Sequence, residues 1–168
     1  MSIYAFIDSQ NLNLAIKKQG WKLDFQRYRK YLRDKYKIRK AFLFIGYLEE
    51  NKKLYKYLKK SGFILIFKPV MKLAEGKVKG NVDTELVLHT MIQYKNFDEA
   101  IIVSNDGDFY CLVEYLLKKR KLFKLMIPDR DRYSSLLKTF RPYIVFMNLL
   151  KKKLEYNEKR GSNLRTEP

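Results

Sequence analysis

The alternation of short apolar runs with longer amphipathic segments constrains this chain most. The apolar runs are continuous rather than alternating with polar residues, which is typical of parallel strands covered on both faces. This pattern predicts an α/β fold with a doubly wound, mostly parallel sheet. The predicted strands, with the last one as a candidate sixth, are residues 3–7, 41–48, 63–70, 100–104, 123–128 and 143–147.

The segments between the predicted strands have helical spacing and recognisable helix ends. Asp24, Asn51 and Asn81 are placed to cap helices, and Gly62 is placed to end one. The predicted helices are residues 25–37, 52–60, 82–94, 109–119 and the short segment 134–140. Residues 71–80 are expected to form a basic loop. We predict one domain over residues 1–150, followed by a basic helix end that frays into a disordered tail over 151–168.

The chain is strongly basic, with 36 Lys and Arg against 18 Asp and Glu, which gives a net charge of +18 over 168 residues. Such a charge attracts polyanions. Tyr residues are interspersed with Lys and Arg in residues 27–40 and 52–60, so a nucleic acid, either RNA or DNA, is the expected partner. A lysine-rich surface that is merely solvated is the alternative. The net charge therefore indicates the class of partner but does not indicate which reaction, if any, the protein catalyses.

Cysteine and histidine are nearly absent, which limits the kinds of site this chain can build. Cys111 is the single cysteine and His89 the single histidine, so a disulfide framework, a cysteine zinc site and a histidine-rich site are excluded. We expect both residues to be buried and inert in helices. No apolar run approaches the ~20 residues of a membrane span, and the first residues do not resemble a signal peptide. We therefore predict a cytoplasmic protein that does not bind membranes.

The acidic residues fall at the ends of predicted strands and the starts of helices. Asp8 ends the first strand, Asp106 and Asp108 follow the fourth, and Asp83 lies in the first turn of the helix over 82–94. If the strand order is 3-2-1-4-5, the first and fourth strands are neighbours, and ligands bind at the carboxyl ends of strands where the order reverses. This topology predicts that the acids share one crevice.

Converging carboxylates repel each other, and a divalent cation relieves that repulsion. Mg²⁺ and Mn²⁺ prefer carboxylate and water oxygens and promote hydrolysis of phosphodiesters by activated water. Taken singly, Asp8 can be a helix cap and Asp83 a first-turn acid that stabilises the helix dipole. A phosphatase with Asp-x-Asp after the first strand is excluded, because position 10 is Gln. The acids together favour a metal site.

Several residues near these acids are predicted to support the site. Asn11 is expected to reach the crevice and orient a ligand, and Ser104 to donate a hydrogen bond to a carboxylate or to substrate. Gly107 is expected to let the backbone turn tightly between two acids. Lys77 and Lys79 are expected to contact phosphates, with a solvated lysine loop as the alternative.

Three segments of the chain, taken in order, resemble the NYN domain, a branch of the PIN-like nuclease superfamily. They are IDSQN at 7–11, KGNVDTELV at 79–87 and SNDGDF at 104–109. The resemblance spans roughly residues 3–147. It implies a PIN-like three-layer α/β/α sandwich and a ribonuclease that depends on Mg²⁺ or Mn²⁺.

The same resemblance assigns roles to individual residues. It implies that the metal-binding, catalytic acids are Asp8, Asp83 and Asp106, with Asp108 beside them, and that Asn11 and Ser104 are accessory. PIN-like domains often pair, so a homodimer is one expected state. An RNA-binding module that keeps the fold but does not cleave RNA is the alternative function.

Overall fold

A six-stranded parallel sheet in the order β3-β2-β1-β6-β7-β8 forms the centre of the protein. The computed structural model describes residues 1–72, 78–79 and 81–158. The strands are β1 (Ile3–Asp8), β2 (Ile38–Tyr47), β3 (Ile64–Pro69), β4 (Met71–Lys72), β5 (Val78–Lys79), β6 (Glu99–Val103), β7 (Leu122–Ile127) and β8 (Ile144–Phe146). The six strands of the main sheet follow the predicted order, and the sixth strand is confirmed.

Helices cover both faces of this sheet, which confirms the three-layer α/β/α prediction. They are α1 (Ser9–Lys18), α2 (Phe25–Tyr36), α3 (Lys52–Lys60), α4 (Asp83–Ile92), α5 (Tyr110–Lys118) and α6 (Lys151–Leu154). Leu12, Leu32 and Leu58 pack α1, α2 and α3 into one core cluster. Leu86 and Leu116 pack α4 and α5 into the other. Every residue of β1 is buried because both of its faces are covered.

The start of α2 and its end follow local rules that the sequence displays. Asp24 caps the helix as predicted, since its Oδ1 accepts a hydrogen bond from the N–H of Arg27 at 3.0 Å. The helix ends at Lys37, whose φ of 57° turns the chain in the left-handed region. Strand β2 then begins at Ile38, three residues before the predicted start at 41, because the exposed Arg39 and Lys40 interrupt the apolar run without interrupting the strand.

Asn51 holds its predicted cap position without a capping bond, and the predicted cap at Asn81 is wrong. Asn51 precedes α3 but makes no capping bond with its side chain, because the helix continues from a 3₁₀ turn over Glu49–Asn51. Helix α4 begins at Asp83, and Val82 occupies the cap position without a side-chain bond. Asn81 still contributes, because its Oδ1 accepts a hydrogen bond from the Asp83 N–H at 3.4 Å.

The segment predicted as a basic loop over 71–80 contains regular structure. Strands β4 and β5 pair antiparallel there, with Met71 opposite Lys79 and Lys72 opposite Val78. The apolar-run criterion missed these strands because each has two residues. Lys79 therefore lies on β5, whereas Lys77 lies outside the described residues.

The predicted short helix at 134–140 is a 3₁₀ helix over Ser135–Tyr143 that is kinked at Phe140.

The last part of the described chain packs against the core cluster that contains Leu12, Leu32 and Leu58. Leu154 is 1% exposed in the first core cluster, and Glu155 bridges Leu23 antiparallel. The predicted division at residue 150 stays a prediction, and residues 159–168 lie outside the described chain.

The single cysteine and the single histidine lie in different environments. Cys111 is exposed, so the prediction that it is buried is wrong. Helix α5 turns Leu112 and Val113 inward instead and leaves position 111 on its outer side. His89 is half-buried and packs its ring 5.9 Å from that of Phe44. Among the described helices, none has the length and apolar character that crossing a membrane requires.

Candidate metal centre

The pairing of β1 with β6 brings the segment IDSQN at 7–11 next to the segment SNDGDF at 104–109. Ile7 lies opposite Val103 in this parallel pair, so the residues that follow each strand emerge side by side. The Ser104 hydroxyl donates to Asp8 Oδ2 at 3.3 Å. Ser104 thus hydrogen-bonds a carboxylate as expected, although 96 residues separate the two positions in the sequence.

Asp8 is both a helix cap and a buried acid of the site. Its Oδ1 accepts a hydrogen bond from the Asn11 N–H at 3.2 Å and thereby caps α1. The residue is 5% exposed. Burial raises the pKa of Asp8 to about 6, and the charges of Asp83 and Asp106 also raise it. The hydrogen bonds from Asn11 and Ser104 lower it in part.

The other predicted acids form a tight cluster beside Asp8. Asp83, Asp106 and Asp108 each offer a carboxylate oxygen within 4.8 Å of the others. Asp8 is not part of this closest group. Burial raises the pKa of Asp83, the charges of Asp106 and Asp108 raise it as well, and Lys68 lowers it. Three of the four predicted metal ligands therefore lie close enough to share one ion.

The loop after β6 is held by its own hydrogen bonds. Asp106 accepts a bond from the Asp108 N–H at 2.9 Å, and the Ser104 hydroxyl accepts one from the Asp106 N–H at 3.1 Å. A Cβ at Gly107 would lie 2.3 Å from Ser134 Oγ. Glycine is therefore required by the close approach of Ser134. The tight turn expected at this position is not left-handed, since the described glycines with positive φ are Gly20 and Gly62.

Asn11 connects the two halves of the site. Its side-chain oxygen accepts a hydrogen bond from the Asn105 N–H at 2.8 Å. The Asn105 side chain in turn accepts a bond from the Asp129 N–H at 3.2 Å. Asn11 therefore reaches the crevice as predicted, and there it fixes the loop that carries Asp106.

Sequence reasoning missed an ion pair at the edge of the cluster. Lys68, near the end of β3, places its Nζ 3.5 Å from Oε2 of Glu85 on α4. That oxygen is buried and makes no hydrogen bond with the described residues, so the ion pair is its polar contact. The positive charge of Lys68 also faces Asp83. The sequence could have indicated Lys68, because it lies near the carboxyl end of a predicted strand, where ligands bind.

Asp129 was also missed. It follows β7 at the same edge of the sheet and is 3% exposed. One of its carboxylate oxygens accepts a bond from the Asp131 N–H at 3.0 Å and lies 3.5 Å from the Asn148 amide nitrogen. The rule that selected Asp8 and Asp106, an acid just beyond an apolar strand, also applies to Asp129. These contacts indicate that Asp129 stabilises the loop that contains Asp131.

The comparisons with known proteins concern the family and the fold of this chain. A sequence model of the NYN domain matches residues 2–146. A crystal structure of a protein of unknown function from Vibrio parahaemolyticus superposes with a TM-score of 0.74, covering 92% of this chain and 96% of that one. The sequence identity is 20%, so this likeness concerns the fold. No curated protein matches this sequence.

Proposed function

Because this chain belongs to the NYN domain family of PIN-like nucleases, we propose that it is a metal-dependent ribonuclease. One observation carries the proposal. Carboxylate oxygens of Asp83, Asp106 and Asp108 lie within 4.8 Å of one another at the carboxyl edge of the sheet. This is where ligands bind in open α/β folds.

The donor atoms fit a hard divalent cation. Asp83 and Asp106 are half-buried and Asp108 is exposed, so an ion from solvent can reach the oxygens. Burial and then repulsion from Asp106 and Asp108 raise the pKa of Asp83, and a divalent positive charge relieves this repulsion. Carboxylate oxygens suit Mg²⁺ or Mn²⁺. When bound, such an ion stabilises negative charge on a phosphodiester and lowers the pKa of water.

The protein's own residues would hold and shape this centre. Asp83, Asp106 and Asp108 would bind the cation, and Asp8 would add a fourth negative charge from its buried position. Ser104 touches both sides, because it donates to Asp8 and accepts from the Asp106 N–H. Its hydroxyl therefore holds these acids in register, which is a positioning role.

RNA is the proposed substrate, and the net charge of +18 supports a polyanionic partner. The predicted phosphate contact by Lys79 remains part of the proposal, as does that of Lys77 outside the described residues. A non-catalytic RNA-binding module is the second candidate, because the same charge supports binding without turnover. The homodimer and the cytoplasmic location stay predictions.

The test is cleavage of a labelled single-stranded RNA with Mg²⁺, with Mn²⁺ and with EDTA. We expect cleavage that EDTA abolishes, and a loss of at least ~100-fold in Asp106→Asn, since even outer-shell partners of metals contribute 10- to 100-fold. Asp98→Asn is the matched control, because Asp98 is exposed at the opposite end of β6.

Two results would decide against ribonuclease activity at this centre. Metal-dependent cleavage that survives in Asp106→Asn would remove the acid cluster from the reaction. RNA binding without cleavage under any metal condition would favour the non-catalytic module instead.

A further inference from the structure

We propose that unpaired RNA runs from the acid cluster along a groove between α1, α2 and α3, which we call the helical groove. The groove has a volume of about 1580 Å³, and its lining includes Ser9 and Gln10, the two residues that directly follow Asp8 in the sequence. Gly46 and Val70 line it at the ends of β2 and β3. The identity of the ligand rests on the proposed function, whereas the location rests on the groove itself.

Helix α1 leads from the acids into the groove. Gln10, Asn13 and Lys17 all line it. Their spacing of three and four residues places them on one face of the helix. Two neutral hydrogen-bonding side chains and then a cation therefore extend away from Asp8, and such groups bind the sugars and phosphates of a nucleic acid strand.

Positive charge dominates the walls of the groove. Seven Lys and Arg residues line it, against Asp24 as the acid. Arg29 donates to the Gly62 carbonyl at 3.0 Å and serves the fold. Lys30 and Arg33 share Asp34. The side chains of three lining cations have no hydrogen-bond or ion-pair partner among the described residues, and these are Lys17, Arg27 and Lys60. They are available to phosphates.

The groove also offers apolar surface, which distinguishes a single strand from a duplex. Leu54 and Tyr57 line it, and each is 39% exposed. Tyr57 is anchored, since its hydroxyl lies 3.5 Å from Asp24 Oδ1 and accepts from the Gln26 N–H at 3.4 Å. Unpaired bases stack on such rings, whereas a double helix hides its base faces. The combination favours single-stranded RNA over an acidic peptide or an anionic membrane.

The decisive experiment measures binding rather than cleavage. A short fluorescent single-stranded RNA is titrated in EDTA, by anisotropy, with Asp106→Asn as the parent. The groove triple Lys17→Ala, Arg27→Ala and Lys60→Ala is compared with a control triple, Lys35→Ala, Arg39→Ala and Lys95→Ala. The control removes the same charge from exposed positions outside the groove. Circular dichroism checks that both variants fold.

We expect the groove triple to bind at least ~10-fold more weakly than the control triple. Its slope of log affinity against log salt should fall by about 2, since each lost phosphate contact on a single strand contributes ~0.7. Tyr57→Ala should weaken single-strand binding about tenfold, and Tyr57→Phe should not, because stacking requires the ring and not the hydroxyl.

If the two triple variants lost RNA affinity equally, the groove would not be the binding site, because the whole basic surface would then attract RNA. The proposal would also be overturned if the parent bound an RNA duplex as tightly as the single strand. It would be overturned as well if poly-glutamate or anionic vesicles displaced the labelled RNA as effectively as unlabelled single-stranded RNA does. The proposed function fails separately. A parent chain that binds RNA through the groove while the wild type does not cleave would overturn ribonuclease activity and keep the groove.

Discussion

The side-chain oxygen of Asn11 accepts a hydrogen bond from the main-chain N–H of Asn105 at 2.8 Å. This contact joins the first turn of α1 to the loop after β6, across 94 residues of sequence. Asn11 follows Asp8 by three residues, and Asn105 directly precedes Asp106. The relative position of the two acidic motifs therefore depends on this amide and on the Ser104 hydroxyl as well as on the pairing of their strands.

Replacing Asn11 with Ala should destabilise the fold and loosen the site. The change leaves the partly buried Asn105 N–H without its acceptor, which costs about 1–3 kcal/mol of unfolding free energy. Urea denaturation measures this loss. Asn13→Ala is the control, because it removes the same side chain two residues along the helix without touching Asn105. Equal destabilisation in the two variants would mean that the amide bond contributes nothing specific.

The meeting of Asp8 and Asp106 was predictable because it follows from topology. Strand order and the position of each acid beyond its strand determine that the two residues emerge side by side. A continuous apolar run identifies a strand, and it did so for the six strands of the main sheet. The strands follow from periodicity, which the sequence displays directly, whereas their order was an assumption that the structure confirms.

Contacts that depend on the precise path of distant loops were not predictable. Ser134 approaches Gly107 closely, yet nothing in either local sequence indicates the other. Lys68 on β3 pairs with Glu85 on α4, and neither local sequence indicates the other. Cys111 lies outside the core because the inward face of α5 is set by its leucines, and an isolated cysteine has no periodicity of its own.

Asp8→Asn should stabilise the metal-free protein at neutral pH. Burial raises the pKa of Asp8 to about 6 from 3.8, so the folded state binds this proton more tightly than the unfolded state. The stability linked to the proton is present below about pH 4 and is lost as the pH rises through 6. A shift of this size corresponds to roughly 3 kcal/mol at pH 8.

Denaturation of both proteins in EDTA at several pH values measures this effect. The Asn side chain keeps an acceptor for the Asn11 N–H and can donate to Ser104. The advantage of Asp8→Asn should therefore appear at pH 8 and shrink towards pH 4. A difference that does not vary with pH would show that the ionisation of Asp8 has no energetic cost.

Gly107→Ala should destabilise the acidic loop through a steric clash. The added Cβ would lie 2.3 Å from Ser134 Oγ and 2.9 Å from Ser134 Cβ, so one of the two segments has to move. Overpacking of this kind costs about 1–3 kcal/mol. Thermal unfolding measures it, and Ser134→Gly in the same chain should restore part of the loss because it removes both clashing atoms. Failure of this rescue would place the strain elsewhere.

Mn²⁺ should stabilise the wild-type chain against heat, because an ion that binds only the folded state shifts the unfolding equilibrium. At 100 times its dissociation constant the ion contributes about 2.7 kcal/mol. For a chain of this size that corresponds to a rise of roughly 5–10 °C in Tm. Asp83→Asn should lose most of the rise, since it removes one of the three clustered oxygens. Asp98→Asn should keep it, and an equal rise in Asp83→Asn would place the ion outside the cluster.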